Sequence, residues 1–337
     1  MSKAFANHRS GRRAAARSLA LAALGSLWWS TLPAAAAAWP ERPIRLISPY
    51  GAGGVADPVA RSLAEALTKD LGQSVVVENR PGANTMVGIG LVANGPTDGY
   101  SMVLVTGAML SNTYLYNRMP YPPENVRTIA VLYEGPYVYV INPRIPARNL
   151  QEFAAWAKAA PKPPSYASVA PGNNLSLVPE IFAEEAGIRL HEVSYAGKSG
   201  EALMAVMSGD VDLMVTLAAH AAPQISAGKL RALAVTTEQR MDTLPDVPTV
   251  TESGYPRTTG TATWGGIAVH SRTSPEVVEK LRAAIDRAIS DEAFRKRFAP
   301  LGLLVQSPRT LPEVERYVET DRQRWGSVIQ RLGLKLD

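Results

Sequence analysis

One stretch constrains the fold more than any other: Ile44-Arg45-Leu46-Ile47-Ser48-Pro49-Tyr50-Gly51-Ala52-Gly53-Gly54-Val55-Ala56-Asp57-Pro58. It reads as a strand, a glycine-rich loop, and a helix opening with Asp57 at the N-cap and Pro58 at the first helical position. Glycine lets backbone N–H groups turn toward a ligand with no Cβ in the way. The adjoining helix start adds partial positive charge. Such a loop can hold a phosphate or a carboxylate.

The same alternation continues along the chain. Strands are predicted at Ile44–Ile47, Val75–Val77, Met102–Val105, Tyr137–Ile141, Leu213–Val215, Leu230–Val235 and Gly266–Val269. Between them, Val59, Leu63 and Leu67 share a helix face, as do Phe153, Ala154 and Ala157 after the cap Asn149, and Leu203, Val206 and Met207 before Gly209. Strands alternating with helices give an α/β fold with buried, mainly parallel sheets flanked by helices. Two long helices close the chain, one from Ser274-Pro275 and one from about Pro312 to near Gly333. Proline-rich stretches at Pro143–Pro146 and Leu244–Pro256 bracket a block of about 100 residues, read as a second lobe inserted through two crossings.

Residues 1–38 read as an export signal. Lys3, Arg9, Arg12, Arg13 and Arg17 precede an apolar run from Ser18 to Leu32, and Ala34 to Ala38 offer small-residue cleavage sites. The run is shorter than the roughly 20 residues a membrane-spanning helix needs. Arg12-Arg13 raises twin-arginine export, but Ala-Ala-Ala follows rather than an aromatic-leucine pair, which leaves the general secretory route ahead. The chain holds 35 Lys+Arg and 30 Asp+Glu; five of the bases and none of the acids lie in 1–38, so the remainder carries thirty of each. A near-neutral remainder with no basic cluster gives no reason to expect a nucleic-acid partner.

Cysteine is absent, which excludes disulfides, thiol catalysis and cysteine-ligated metals. His191, His220 and His270 are not at metal-binding spacing, and no HExxH occurs, so no metal is expected. The glycine loop lacks the Gly-Lys-Ser/Thr of a phosphate loop and the third glycine of a dinucleotide fingerprint, and Gly197-Lys198-Ser199-Gly200-Glu201 is not a nucleophile elbow. No catalytic residue and no cofactor are therefore expected, and a binding protein is favoured over an enzyme.

Several segments, in order, match a known family: Trp39-Pro40-Glu41-Arg42-Pro43-Ile44, Pro49–Asp57, Leu71-Gly72-Gln73, Val77-Glu78-Asn79-Arg80-Pro81-Gly82-Ala83, Asp98-Gly99-Tyr100, Tyr166-Ala167-Ser168, Gly228 through Thr236, Leu244 through Val250, and Gly333-Leu334-Lys335-Leu336-Asp337. In these the chain resembles the periplasmic solute-binding receptors of tripartite tricarboxylate transporters, the Bug receptors. The resemblance implies a two-lobed Venus-flytrap fold of the type II kind, with lobe 1 formed by residues 39–136 and 256–337 and lobe 2 by residues 137–255. It implies a periplasmic monomer that binds a small organic carboxylate and delivers it to the transporter's permease subunits. A sensory receptor of the same fold, presenting its ligand to a sensor kinase, is the alternative. Ligand contact would come mainly from backbone amides, hydroxyls and ordered water.

The resemblance also points to site residues. In the first-lobe loop these are Tyr50, Gly51, Gly53, Gly54, Val55 and Ala56, with Val55 and Ala56 standing where the family usually has a small residue and threonine. Thr106 and Gly107 form a second first-lobe loop, Thr106 standing where serine is frequent. In the second lobe Ser168, Gly172, Asn173 and Asn174 fill the corresponding loop. Tyr195 matches a tyrosine-lysine-glycine turn in which Ala196 replaces the lysine, and Thr216 stands where aspartate is common. Arg80 and Asp212 read as structural. Val55, Ala56, Met109, Leu175 and Ala196 are bulkier or less polar than the family's usual residues, so the expected ligand is a carboxylate with a substantial apolar body rather than citrate or a small amino acid.

Overall fold

The computed structural model describes residues 39–52, 56–169, 172–195 and 198–336. The predicted signal segment and Gly53, Gly54, Val55, Ala196 and Gly197 lie outside the described residues.

The elements alternate as the sequence suggests. In lobe 1, β1 (Ile44–Ser48), α1 (Ala56–Leu71), β2 (Val75–Asn79), α2 (Met86–Ala93), β3 (Ser101–Thr106) and α3 (Gly107–Leu115) lead into β4 (Val126–Ile141). Then come α4 (Leu150–Ala159), β5 (Ser165–Ser168), α5 (Asn174–Ala186), β6 (His191–Ser194), α6 (Ser199–Ser208), β7 (Leu213–Leu217), α7 (Ala218–Ser226) and β8 (Arg231–Val235). The chain returns through β9 (Ala262–His270), α8 (Pro275–Ser290), α9 (Glu292–Phe298), β10 (Leu304–Val305) and α10 (Leu311–Leu332). Local chemistry explains several boundaries. Asn149 Oδ1 accepts from Glu152 N at 2.8 Å to start α4, Ser274 caps α8 ahead of Pro275, and Thr310 and Glu313 form a capping box on α10. Asp57 departs from the expected cap: α1 begins at Ala56, and Asp57 sits in its first turn, accepting from Asn79 Nδ2 at 3.1 Å and pairing with Arg61.

The strand order is β2-β1-β3-β9-β4-β7-β5-β6, with β8 and β10 also pairing β4. Parallel ladders join β1 to β2 and β3, and β5 to β6 and β7. The antiparallel ladders come from the crossing strands. The 16-residue β4 pairs with β9 from Val126↔His270 to Pro136↔Ala262, then with β7 from Tyr137↔Leu217 to Ile141↔Leu213. One strand thus belongs to both lobes and changes partner between Pro136 and Tyr137.

Each lobe has its own apolar core. In the first, Ile47, Val103, Val105, Ile89 and Trp264 pack together with Val314 of α10. In the second, Tyr139, Phe153, Phe182 and Val215 pack with Trp325, Val328 and Ile329, further along the same helix. So α10 braces both. Among the described residues no helix is long and apolar enough to cross a membrane, and no His, Asp and Glu are grouped to hold a metal ion.

Candidate functional site

In an open α/β sheet, ligands bind beyond the carboxyl ends of the parallel strands. Here the residues that follow β1, β3 and β5, together with the last residue of β7, come to one cleft of about 450 Å³. Tyr50, Gly51, Ala52, Ala56, Asn84, Thr85, Thr106, Gly107 and Ala108 line it from the first lobe. Asn173, Asn174, Leu175 and Leu217 line it from the second, and Tyr133, Tyr137, Thr263 and Leu303 supply the floor, where the strands cross.

Four helix starts open onto this cleft: Ala56 of α1, Thr85 before α2, Thr106 to Ala108 at α3, and Asn173 to Leu175 at α5. Each presents the positive end of a helix dipole, although at α2 the Met86 and Val87 N–H groups already donate to the Ala83 and Gly82 carbonyls. The side chains prepare these starts. Thr106 Oγ1 accepts from Ala108 N at 3.4 Å and shares a 2.7 Å hydrogen bond with the Tyr50 hydroxyl. Asn173 Oδ1 accepts from Leu175 N at 2.9 Å. Asn84 Nδ2 donates to Asn112 Oδ1 at 2.6 Å while Asn112 Nδ2 donates back to the Asn84 carbonyl at 2.8 Å. Ser111 Oγ donates to Asn174 Oδ1 at 3.2 Å across the lobes. Gly107 has no room for a side chain, since a Cβ there would lie 2.7 Å from Asn174 Nδ2.

The cleft contains no Lys, Arg, His, Asp or Glu among its described lining residues. Its phenols are neutral: burial pushes the Tyr50 pKa up to about 12, and burial raises Tyr133 and Tyr137 further. The arrangement is therefore one of fixed dipoles and neutral donors around an open cleft, which suits an anion without any counter-charge. Thr85 adds a hydroxyl that is buried and without a hydrogen-bond partner.

Of the residues singled out in the sequence, Tyr50, Gly51, Ala56, Thr106, Gly107, Asn173 and Asn174 come together in the cleft. Ser168 ends β5 and is not among the lining residues; it is buried, with an unpartnered Oγ. Gly172 is turned away, with Leu115 where its Cβ would be. Tyr195 packs on the second-lobe core, and Thr216 is buried within β7. Leu175 lines the cleft, but Met109 does not: it is buried in the first-lobe core, because α3 turns that face inward. Asp212 Oδ2 accepts from Ser165 N at 2.8 Å and so ties β7 to the start of β5, and Arg80 pairs with Glu78. Asn84, Thr85, Tyr133, Tyr137, Leu217, Thr263 and Leu303 were not foreseen. Only the glycine-loop pattern carried a signal; the floor residues come from strands far apart in sequence and form no local motif.

Comparison with known proteins agrees with this fold. The model of the tripartite tricarboxylate transporter family receptor matches residues 59–334. BugT of Bordetella pertussis (strain Tohama I) is 31% identical over 313 residues, covering 90% of this chain and 93% of that protein. The periplasmic binding protein BugD is 31% identical and superposes with a TM-score of 0.75 over 88% of this chain and 100% of BugD. An R. palustris protein solved with adipate is 28% identical, with a TM-score of 0.77 over 88% of this chain and 100% of that one. A two-lobed α/β scaffold, a cleft ringed by helix starts, and a family match over most of the chain lead to one conclusion: the chain belongs to the tripartite tricarboxylate transporter receptor family.

Proposed function

We propose that this protein is a periplasmic receptor that captures a small organic carboxylate between its lobes and delivers it to the permease subunits of a tripartite tricarboxylate transporter. The observation that carries the reading is the convergence of four helix starts on a cleft without ionised side chains among its described lining residues. The adipate bound by the R. palustris relative supports the ligand class. Residues 1–38 act as the export signal and are removed. Lobe 1 is residues 39–136 and 256–337 and lobe 2 is residues 137–255, a division supported by the partner change of β4 after Pro136. The lobes close on ligand by movement about the crossing strands.

Thermal denaturation of the exported protein against a carboxylate panel tests this. A true ligand binds only the folded state and raises its melting temperature with concentration; the matching amides should not. Gly107→Val drives a side chain against Asn174 and should weaken binding by about 1.5–3 kcal/mol by moving N–H groups off a charged group, with circular dichroism as the check that the fold survives. A panel in which no carboxylate raises the melting temperature would remove the proposal.

A further inference from the structure

The two sides of the cleft differ in kind. Polar groups gather where the helices begin, at Asn84, Thr85, Thr106, Asn173 and Asn174. The floor is aromatic and aliphatic. Tyr133, Gly135 and Tyr137 stand at alternate positions of β4 and so share one face of it. Gly265, opposite Tyr133 on β9, lets that ring lie flat: a Cβ on Gly265 would fall 2.2 Å from the ring. Gly135 draws three apolar tips together, since a Cβ there would meet Leu217 Cδ2 at 2.7 Å, Thr263 Cγ2 at 2.9 Å and Leu303 Cδ2 at 3.1 Å. Leu175 adds a further apolar wall from the second lobe.

We propose that the ligand is a monocarboxylate with a flat aromatic body, its carboxylate at the helix starts and its ring on the Tyr133–Tyr137 floor. This rests on the receptor reading above and narrows it. A single carboxylate is fully served by the N–H groups and hydroxyls of the polar side. A second one would lie against Leu217 and Leu303, where the described lining offers only the neutral hydroxyls of Tyr133, Tyr137 and Thr263 and no cation, so its charge would be desolvated with little in return. The neighbouring residues outside the described set cannot supply a counter-charge, because positions 53–55, 170–171 and 196–197 are Gly, Gly, Val, Ala, Pro, Ala and Gly. Nor can the phenols, which are held neutral by burial. An aromatic ring instead meets tyrosine faces in offset or edge contact and covers the leucine tips.

The test is calorimetric titration of the exported protein with benzoate, phenylacetate and 4-hydroxybenzoate against adipate, malate and citrate. At least one aryl acid should bind roughly tenfold or more tighter than any di- or tricarboxylate. Leu303→Lys places a cation on the floor and should shift preference toward adipate; Tyr133→Leu should weaken aryl acids more than it weakens adipate. Adipate or malate binding as tightly as every aryl acid overturns this inference and leaves the receptor reading intact. No binding by any carboxylate overturns both. The ranking on the unaltered protein decides the matter even where a variant does not fold.

Discussion

Three consecutive residues before α2, Ala83, Asn84 and Thr85, have φ of 44°, 47° and 77°. Asparagine enters this left-handed region at modest cost, but a β-branched threonine is a genuine outlier there. Thr85 gains nothing locally in exchange: its side chain makes no capping bond to α2, and its Oγ1 is buried without a partner. The strain sits at a residue that lines the cleft, in the segment that shapes the wall a ligand would meet. Thr85→Gly should therefore raise the stability of the ligand-free protein by about 1 kcal/mol, the relief of strain less the freedom glycine adds to the unfolded chain. The same change should weaken ligand binding. Urea denaturation and titration on one preparation measure both, and a variant with lower stability or unchanged affinity would refute the assignment. Nothing in Pro81-Gly82-Ala83-Asn84-Thr85 betrays this conformation in advance, because the Pro-Gly turn is a local signal whereas positive φ at a threonine is imposed by surrounding contacts. The Asn149 and Ser274-Pro275 helix starts were legible for the opposite reason: their residue types are chosen by local backbone needs.

Among the elements, α10 and β4 join the lobes, and they differ in how far the sequence revealed them. Val314, Val318, Trp325 and Ile329 repeat at helical spacing, so α10 could be read directly. In β4 only Tyr137–Ile141 was foreseen. Glu134-Gly135-Pro136 looks like a break, yet the strand continues through it, with Pro136 standing where the ladder to β9 ends at Ala262 and so withdrawing little from the sheet. The edge strand β6, His191-Glu192-Val193-Ser194, was also missed, being short, polar and partly exposed. A further link lies on α10: Asp321 accepts from Trp264 Nε1 of β9 at 2.7 Å in a buried setting. Burial raises its pKa above the ordinary 3.8. The folded state thus holds that proton more tightly than the unfolded chain does, and the contribution to stability declines as pH climbs from about that value through the raised one. Asp321→Asn keeps an oxygen acceptor for the indole and carries no charge. It should stabilise the protein at pH 7, with the gain fading toward pH 3, as measured by denaturation at the two pH values. Equal stability of the two proteins at pH 7 would show that burial exacts no penalty there.

For the whole molecule, the alternation of short strands and helices made the fold class readable, and the ordered run of matching segments made the family readable. Shape at the meeting of the lobes was not, because the floor is assembled from β4, β7, β9 and the segment before β10, brought together only by folding. One consequence follows from the proposed reading, in which a cleft without charged described lining residues holds an anion in a chain whose charges balance outside residues 1–38. Such a receptor has little for dissolved ions to screen. Between about 0.01 M and 1 M salt the screening length falls from about 30 Å to about 3 Å, enough to cripple capture that depends on long-range attraction. Here both the association rate and the dissociation constant should change by no more than roughly threefold over that range, readable by stopped-flow fluorescence; a steep salt dependence would reveal a charged group at work. A receptor built this way would capture its ligand equally well in dilute and in concentrated salt.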